Sequence, residues 1–363
     1  VYQTSRPGVY NADLTWEKTY TSNIGIDFAF LNNRINGNID YYHRRTKDLL
    51  STVNVSAGSN FKNQMLGNIG SLYNQGVEFA INAVLVDRKN FKWDLSYNVA
   101  WNQNKITQLL SDDPDYFVPT GGISSGTGNT IQAHKVGEAA YSFLVYETKV
   151  MTDEDGVTRH YFVDRNKDGQ INDNDKYIYH NPAAPVTMGL QTKFQFYGFD
   201  LGITLRSNIG NYVYNDVLAG NLQWVEADKV YQNQNGGYHS VLTSAFTCYY
   251  GDNMRSDDIR TYVWNDATQA YEVGTDSKGA LVKNSNWYAS DFFVEKASFL
   301  RIDNITLGYS FNKTKVQGRA YVTVSNPCVF SNYKGLDPEV SGGIDNNIYP
   351  RSMTTIMGIS LQF

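Results

Sequence analysis

The 363-residue chain contains only two cysteines, Cys248 and Cys328, and five histidines, and it has no marked excess of either charge: 31 Lys+Arg stand against 36 Asp+Glu, for a net charge of −5. Each shortage excludes a class. Two cysteines are too few for a disulfide scaffold or a cysteine-rich zinc centre. The mildly acidic balance, without basic blocks, argues against a protein that holds nucleic acid by neutralising phosphates. His43, His134, His160, His180 and His239 show no H-x-x-x-H or comparable ligand spacing. Long apolar runs are also missing. Mean hydropathy is −0.44, and no stretch approaches the ~18 apolar residues of a membrane helix. Val1-Tyr2-Gln3-Thr4-Ser5-Arg6-Pro7 has neither the charged start nor the apolar centre of a signal peptide.

What is abundant is tyrosine, with 27 residues, and glycine, with 30. Both suit a membrane barrel, whose lipid face occupies only every second residue and so leaves the average hydropathy low. The alternation is explicit. Ile24, Ile26, Phe28 and Phe30 alternate with Asn23, Gly25, Asp27 and Ala29, a period of two that only a strand can use. Asn32-Asn33 offers a tight turn into a second strand through Ile35, Gly37, Ile39 and Tyr41. Val77, Phe79 and Ile81 mark a third strand, and Trp93, Leu95, Tyr97, Val99 and Trp101 a fourth. Trp93 and Trp101 share a face roughly 27 Å apart at ~3.4 Å per residue, or about 20 Å of height after tilting, the spacing of two aromatic girdles. Five further strands read as 186–196, 199–205, 299–311, 316–324 and 355–363. The expected lipid-facing set includes Ile24, Ile26, Phe28, Leu95, Val99, Leu201, Ile203 and Leu205.

Connection lengths alternate as well. Short turns near 31–33, 87–90, 197–198 and 312–315 separate long connections near 47–74, 107–185, 207–292 and 329–350. Outer-membrane barrels distinguish periplasmic turns from extracellular loops in this way. Nine strands beginning with a short connection place residues 1–14 outside the cell and Phe363 in the periplasm, so the expectation is that at least one strand precedes Val1. An extra hairpin within 107–185, from Tyr141–Val150 and Arg159–Val163, would not change that parity.

The 107–185 connection contains Asp164-Arg165-Asn166-Lys167-Asp168-Gly169-Gln170-Ile171-Asn172-Asp173-Asn174-Asp175, which has the spacing of an EF-hand calcium loop at 164–175. Asp164, Asn166 and Asp168 stand at positions 1, 3 and 5, Gly169 at the bend, Gln170 at 7 through its carbonyl, Asn172 at 9 and Asp175 at 12. Aspartate at position 12 reaches an ion less readily than glutamate, so weak structural calcium binding is expected, between strand-like flanks 161–163 and 177–179. A polar turn that binds nothing is the alternative. The loop aromatics Tyr116, Phe117, Trp224, Tyr231, Tyr238, Trp264 and Trp287 could stack on sugar rings or simply pack the loops. Gly121–Gly128 has no following Lys-Ser/Thr, so a phosphate loop is not expected. The pairs Asp112-Asp113 and Asp257-Asp258 have no partner carboxylate at a defined distance.

Several phrases carry a resemblance. Asn11-Ala12-Asp13-Leu14-Thr15-Trp16-Glu17-Lys18, Ile39-Asp40-Tyr41-Tyr42, Asn68-Ile69-Gly70-Ser71, Asn74-Gln75-Gly76-Val77-Glu78-Phe79, Arg301–Tyr309, Gly335-Leu336-Asp337-Pro338-Glu339 and Leu361-Gln362-Phe363 resemble the C-terminal half of SusC/RagA-type TonB-dependent outer-membrane transporters. The resemblance implies an all-β fold, the C-terminal strands of an antiparallel transmembrane β-barrel of about 22 strands with long extracellular loops. It also implies a plug domain and N-terminal strands encoded upstream of Val1, energy from TonB, a SusD-like lipoprotein lid, and uptake of oligosaccharides or peptides without chemistry on them. Phe363 would then serve as the terminal aromatic read by the barrel-assembly machinery. Rival readings are a secreted carbohydrate-binding or hydrolytic β-sandwich and a passive porin-like barrel.

Overall fold

The structure is a computed structural model that describes residues 11–54, 64–124, 128–152, 158–221, 260–278, 281, 287–313, 316–346 and 349–362. Its frame is a nine-stranded antiparallel sheet whose strands lie side by side in sequence order. They are β1 (Lys18–Phe30), β2 (Ile35–Asn54), β3 (Gln64–Arg88), β4 (Phe91–Gln108), β5 (Val186–Phe196), β6 (Phe199–Ile209), β7 (Phe299–Lys313), β8 (Val316–Ser331) and β9 (Thr354–Gln362). These are the nine strands expected from the alternation. No helix among the described residues is long and apolar enough to cross a membrane.

Register shows why the pattern folds this way. Ile26 pairs with Ile39, Ile39 with Phe79, Phe79 with Val99 and Val99 with Met188. Farther along, Ile203 faces Ile305, Ile305 faces Val324, and Val322 faces Met357. One face of the sheet is therefore an apolar band across all nine strands, and the other carries Asp40, Glu78, Asn98, Gln191, Thr204 and Thr306. A soluble sandwich would cover the band with a second sheet. Here Ile24 and Ile359 are each 73% exposed, and the described residues place no second sheet over the band, which contradicts the sandwich reading.

Two of the short connections are hairpins built on left-handed residues. Leu31, Asn32 and Asn33 have φ of 53°, 54° and 66°, and Tyr197-Gly198 has 47° and 87°, the geometry that two- to four-residue antiparallel turns require. Near these turns Phe91, Phe196, Phe199 and Tyr309 meet in register across four strands, with ring centroids 6.3 Å apart for Phe91–Phe196 and 4.6 Å for Phe199–Tyr309. This aromatic row lies one register step beyond Trp93.

Two expectations need correction. The long connection expected near 47–74 is mostly strand, because β2 continues to Asn54 and β3 begins at Gln64 with bulges near Thr46–Leu50 and Ser71–Leu72. Alternation fades there because the extensions lie beyond the lipid-facing band, and burial follows local packing instead: Gly67, Ile69 and Ser71 are buried while Gln64 and Leu66 are exposed. The Tyr141–Val150 and Arg159–Val163 segments form strands, but Thr148–Thr152 pairs with Thr158–Val163 in a separate small sheet and adds nothing to the wall. Phe363 lies outside the described residues.

The buried core is in the loops, not in the wall. Ile131, Phe143, Val145, Phe162, Tyr214 and Phe293 are almost wholly buried and form one cluster. They come from two excursions, 109–185 and 210–298, and Ile344 of a third, 332–353, packs against them. Small sheets knit these together: Tyr212–Asn215 pairs antiparallel with Val294–Lys296 and parallel with Ile344–Asp345, while Arg260–Tyr262 runs parallel to Tyr161–Val163. The cap continues directly from the strand ends, since the Ile106 N–H donates to Glu138 O and the Ala297 N–H to Asn211 O.

Candidate functional site

Among the described residues, polar chemistry converges at the Asp164–Asp175 loop, at the aromatic hairpin beside it and at a charged cluster on the polar face of the wall.

Thr158–Val163 and Lys176–Ile178 flank the loop as strands. Asp164 and Asp175 are fully buried. Asp164 Oδ1 accepts from the Lys167 and Asp168 N–H groups at 2.6 and 3.2 Å, and Oδ2 from Gly169 and Trp264 at 2.8 and 3.1 Å. Asp175 Oδ1 accepts from Arg165 and Asn166, and Oδ2 from Asn172. The Gln170 N–H donates to Asp168 Oδ1, and Asp168 Oδ2 receives the amides of Asn166 and Asn172. Gly169, at φ 82°, supplies the bend. All six loop positions singled out in the sequence thus belong to one network. Among the described residues no set of three His, Cys, Asp or Glu side chains is arranged to hold a metal. As it stands, backbone N–H groups occupy the two buried carboxylates.

The electrostatics are unbalanced. Burial, reinforced by the charge of Asp164, raises the Asp175 pKa despite its backbone hydrogen bonds. The cations beside the loop point elsewhere: Arg165 pairs with Glu147 and lies over Tyr177, Lys176 pairs with Asp173 at 3.0 Å, and Lys167 Nζ lies 4.2 Å from the Trp264 ring centroid. Asp168 and Asp173 titrate below the usual range, Asp168 through the Asn166 and Gln170 hydrogen bonds and Asp173 through Lys176.

The hairpin Arg260–Asn265/Ala270–Val273 closes over this loop. Asp164 donates its N–H to Tyr262 O, and the Tyr271 hydroxyl donates to Asp164 O at 2.9 Å. Trp264 makes an edge contact with Tyr271 at 5.2 Å, and Tyr262 stacks on Tyr271 at 5.4 Å. Tyr116 and Phe117 stand at the start of a different hairpin, Phe117–Gly122 with Thr130–Lys135. Of the other aromatic candidates, Trp224, Tyr231 and Tyr238 lie outside the described residues, as does the side chain of Trp287.

The third cluster was not singled out in the sequence. Arg301 on β7 is 2% exposed and in register with Arg206 on β6. Two arginines side by side require carboxylates, and Asp303 on β7 and the segment after β8 supply them. Arg301 Nη2 reaches Asp337 Oδ1 at 2.6 Å, Arg206 binds both Asp303 and Glu339, and Arg351 Nη1 meets Glu339 Oε2 at 3.0 Å. Bulges at Thr204/Leu205 and Ile302/Asn304 lie where Asp303 turns toward Arg206. Arg206 falls on the polar parity of its strand, but Arg301 shares the odd parity of Ile305 and Leu307 in the sequence, and only the bulge at Ile302/Asn304 turns it to the polar face beside Arg206.

Residues 2–181 match the family model described as TonB-dependent receptor-like, β-barrel. The chain is 47% identical to the TonB-dependent receptor SusC of Bacteroides thetaiotaomicron, over all of this chain and 33% of that protein. It is 26% identical to the TonB-dependent receptor P3 of Formosa agariphila, over 97% of this chain and 35% of that one. Among solved structures, the RagAB peptide importer in its open-open state superposes with a TM-score of 0.69 at 23% identity, over 97% of this chain and 35% of that chain; this likeness bears on fold alone. The chain spans about a third of the length of the relatives it matches. With its register-locked wall, outward apolar band and loop core, the chain belongs to the TonB-dependent receptor β-barrel family.

Proposed function

We propose that this chain is the C-terminal part of the barrel of an outer-membrane importer that takes up oligosaccharides, or peptides as the RagAB importer does, without chemistry on the cargo. The observation that carries the reading is the apolar band, continuous in register across nine strands and facing away from a polar wall. Such a face is stable against lipid, and its polar reverse suits a water-filled or plugged lumen. Among the described residues, β1 and β9 each have one unpaired edge in the nine-stranded sheet, and a spanning sheet needs its edges closed. Further strands and a plug from elsewhere in the polypeptide would close it. A SusD-like surface lipoprotein would cover the cap, and TonB would act through the plug region. The test is uptake of labelled oligosaccharide and labelled oligopeptide by cells with and without the gene, before and after collapse of the proton-motive force. Energy-dependent uptake of one cargo class supports the reading; energy-independent leakage would favour a passive porin.

The 164–175 loop fits a structural calcium ion, held by the oxygens of Asp164, Asn166, Asp168, Gln170, Asn172 and Asp175. The support is buried carboxylate charge, with Asp175 raised in pKa and, among the described residues, no side-chain cation paired with Asp164 or Asp175. The expected outcome is a calcium-dependent rise in cap stability that Asp164→Asn abolishes; equal unfolding with calcium and with chelator would leave the loop a hydrogen-bonded turn.

A further inference from the structure

Above the apolar band, the outward face of β1–β4 changes character in three register steps. The row Ile24–Tyr41–Val77–Trp101 closes the band. The next, Ser22–His43–Gln75–Gln103, is polar, and the one beyond it is Tyr20–Arg45–Tyr73–Lys105, with Lys18 opposite Lys47 one step farther on β1 and β2. The registers of all three strand pairs run without a shift through these rows, so Arg45 and Lys105 share the face of Trp101 and Ile24. His43 stacks on Tyr73 at 5.7 Å, and Lys47 Nζ lies 5.9 Å from the Tyr20 ring centroid.

Charge is segregated by face. The outward parity holds no Asp or Glu on β1 from Lys18 to Phe30, on β2 from Ile35 to Lys47, on β3 from Tyr73 to Ala83 or on β4 from Trp93 to Lys105. Asp27, Asp40, Glu78 and Asp94 all take the inward parity. Among the described residues, no carboxylate lies within ion-pair distance of Arg45, Lys47 or Lys105, and Lys18 has only Asp48, at 4.0 Å. A solvated surface mixes signs. This one places four cations, interleaved with two tyrosines, directly above the lipid-facing band on the side of the long connections.

We infer that this face binds the phosphate-bearing headgroup of an anionic glycolipid of the outer leaflet, whose acyl chains lie along the band below. The row of four strands is about 14 Å wide at ~4.8 Å per strand, enough for a headgroup carrying separated phosphates. Arginine and lysine supply charge-assisted donors to phosphate oxygens, and the tyrosines present an apolar face and a hydroxyl at the level where such rings concentrate. The inference rests on the membrane reading proposed above, because only an embedded band puts these cations at headgroup height.

The test uses the full-length protein, wild type and the Arg45→Glu/Lys105→Glu double variant, extracted from outer membranes in mild detergent, with bound lipid A quantified by mass spectrometry. Wild type is expected to retain the phosphoglycolipid and the double variant to retain less, by about fivefold or more for each cation lost. Equal retention would overturn the proposal. If charge reversal impairs assembly, the milder Arg45→Gln/Lys105→Gln variant is compared with wild type in phosphatidylethanolamine vesicles with and without lipid A. A thermal shift caused by lipid A in wild type alone supports the site, and identical shifts in both proteins sink it. Inorganic phosphate in the millimolar range serves as competitor: displacement of the lipid by it would mark a free-phosphate site instead. Extraction without any detergent would overturn the membrane reading itself, an outcome distinct from equal lipid retention by an embedded protein.

Discussion

The wall and the cap use the hydrophobic effect in opposite directions. In the wall, Ile24, Ile26, Met357 and Ile359 are turned outward; in the cap, Phe143, Phe162, Tyr214 and Phe293 are packed together inside, and the buried carboxylates of Asp164 and Asp175 are held by backbone N–H groups. The wall is ordered by backbone ladders between sequence neighbours, the cap by side chains and short strands from excursions far apart in sequence. The comparison teaches that one chain can carry two folding rules when its parts meet two solvents: lipid removes the drive to hide apolar groups and enforces backbone pairing, whereas water restores that drive.

The most direct way to break the comparison is truncation in the cap. Phe143→Ala is expected to cost about 3–5 kcal/mol of cap stability and to expose the excursions to protease, while the wall keeps its resistance to detergent unfolding. Joint unfolding of wall and cap would show them to be one cooperative unit. A smaller effect tests the wall: Ile203→Arg places a charge in the middle of the band and should destabilise the protein by about 2–4 kcal/mol in a bilayer. Val150→Arg, on an exposed cap strand, should be close to neutral, and equal effects would contradict the solvent argument. The smallest effect is pH. Burial raises the pKa of Asp175, Asp291 and Glu295, all in the cap. A carboxyl raised in the folded state binds its proton more tightly folded than unfolded. Its stabilisation is therefore complete at low pH and is lost as pH climbs from the ordinary value near 4 through the raised one. Calcium-free cap should be more stable at pH 5 than at pH 7, by on the order of 1 kcal/mol after solvent screening; Asp168 and Asp173, lowered and mostly exposed, oppose this weakly. Urea titration followed by Trp264 fluorescence reads the difference.

Legibility in the sequence divides along the same line. The nine strands could be read because lipid on one side forces a period of two, as in Trp93–Trp101. Where β2 and β3 outrun the band, at Leu49–Asn54 and Gln64–Ser71, that constraint ends, and the sequence there keeps no strict period of two. The 164–175 loop was legible because its side chains are contiguous. The Phe143–Phe293 core and the Arg301–Asp337 pair were not, since their partners stand 150 and 36 residues apart and nothing local records that they meet. The basic row on β1–β4 lies between these cases: each cation sits within a readable strand, but only the register places them together.

The parallel pairing of Arg260–Tyr262 with Tyr161–Val163, and the donation of the Trp264 N–H to Asp164, bear on how such a protein can diversify. Two excursions that look like independent insertions share one sheet and one buried carboxylate. Grafting either into a sister barrel would leave strand edges bare and Asp164 short of a donor. The unit that can be exchanged is therefore the pair of excursions, and a change of cargo preference that rewrites one of them must carry the other along.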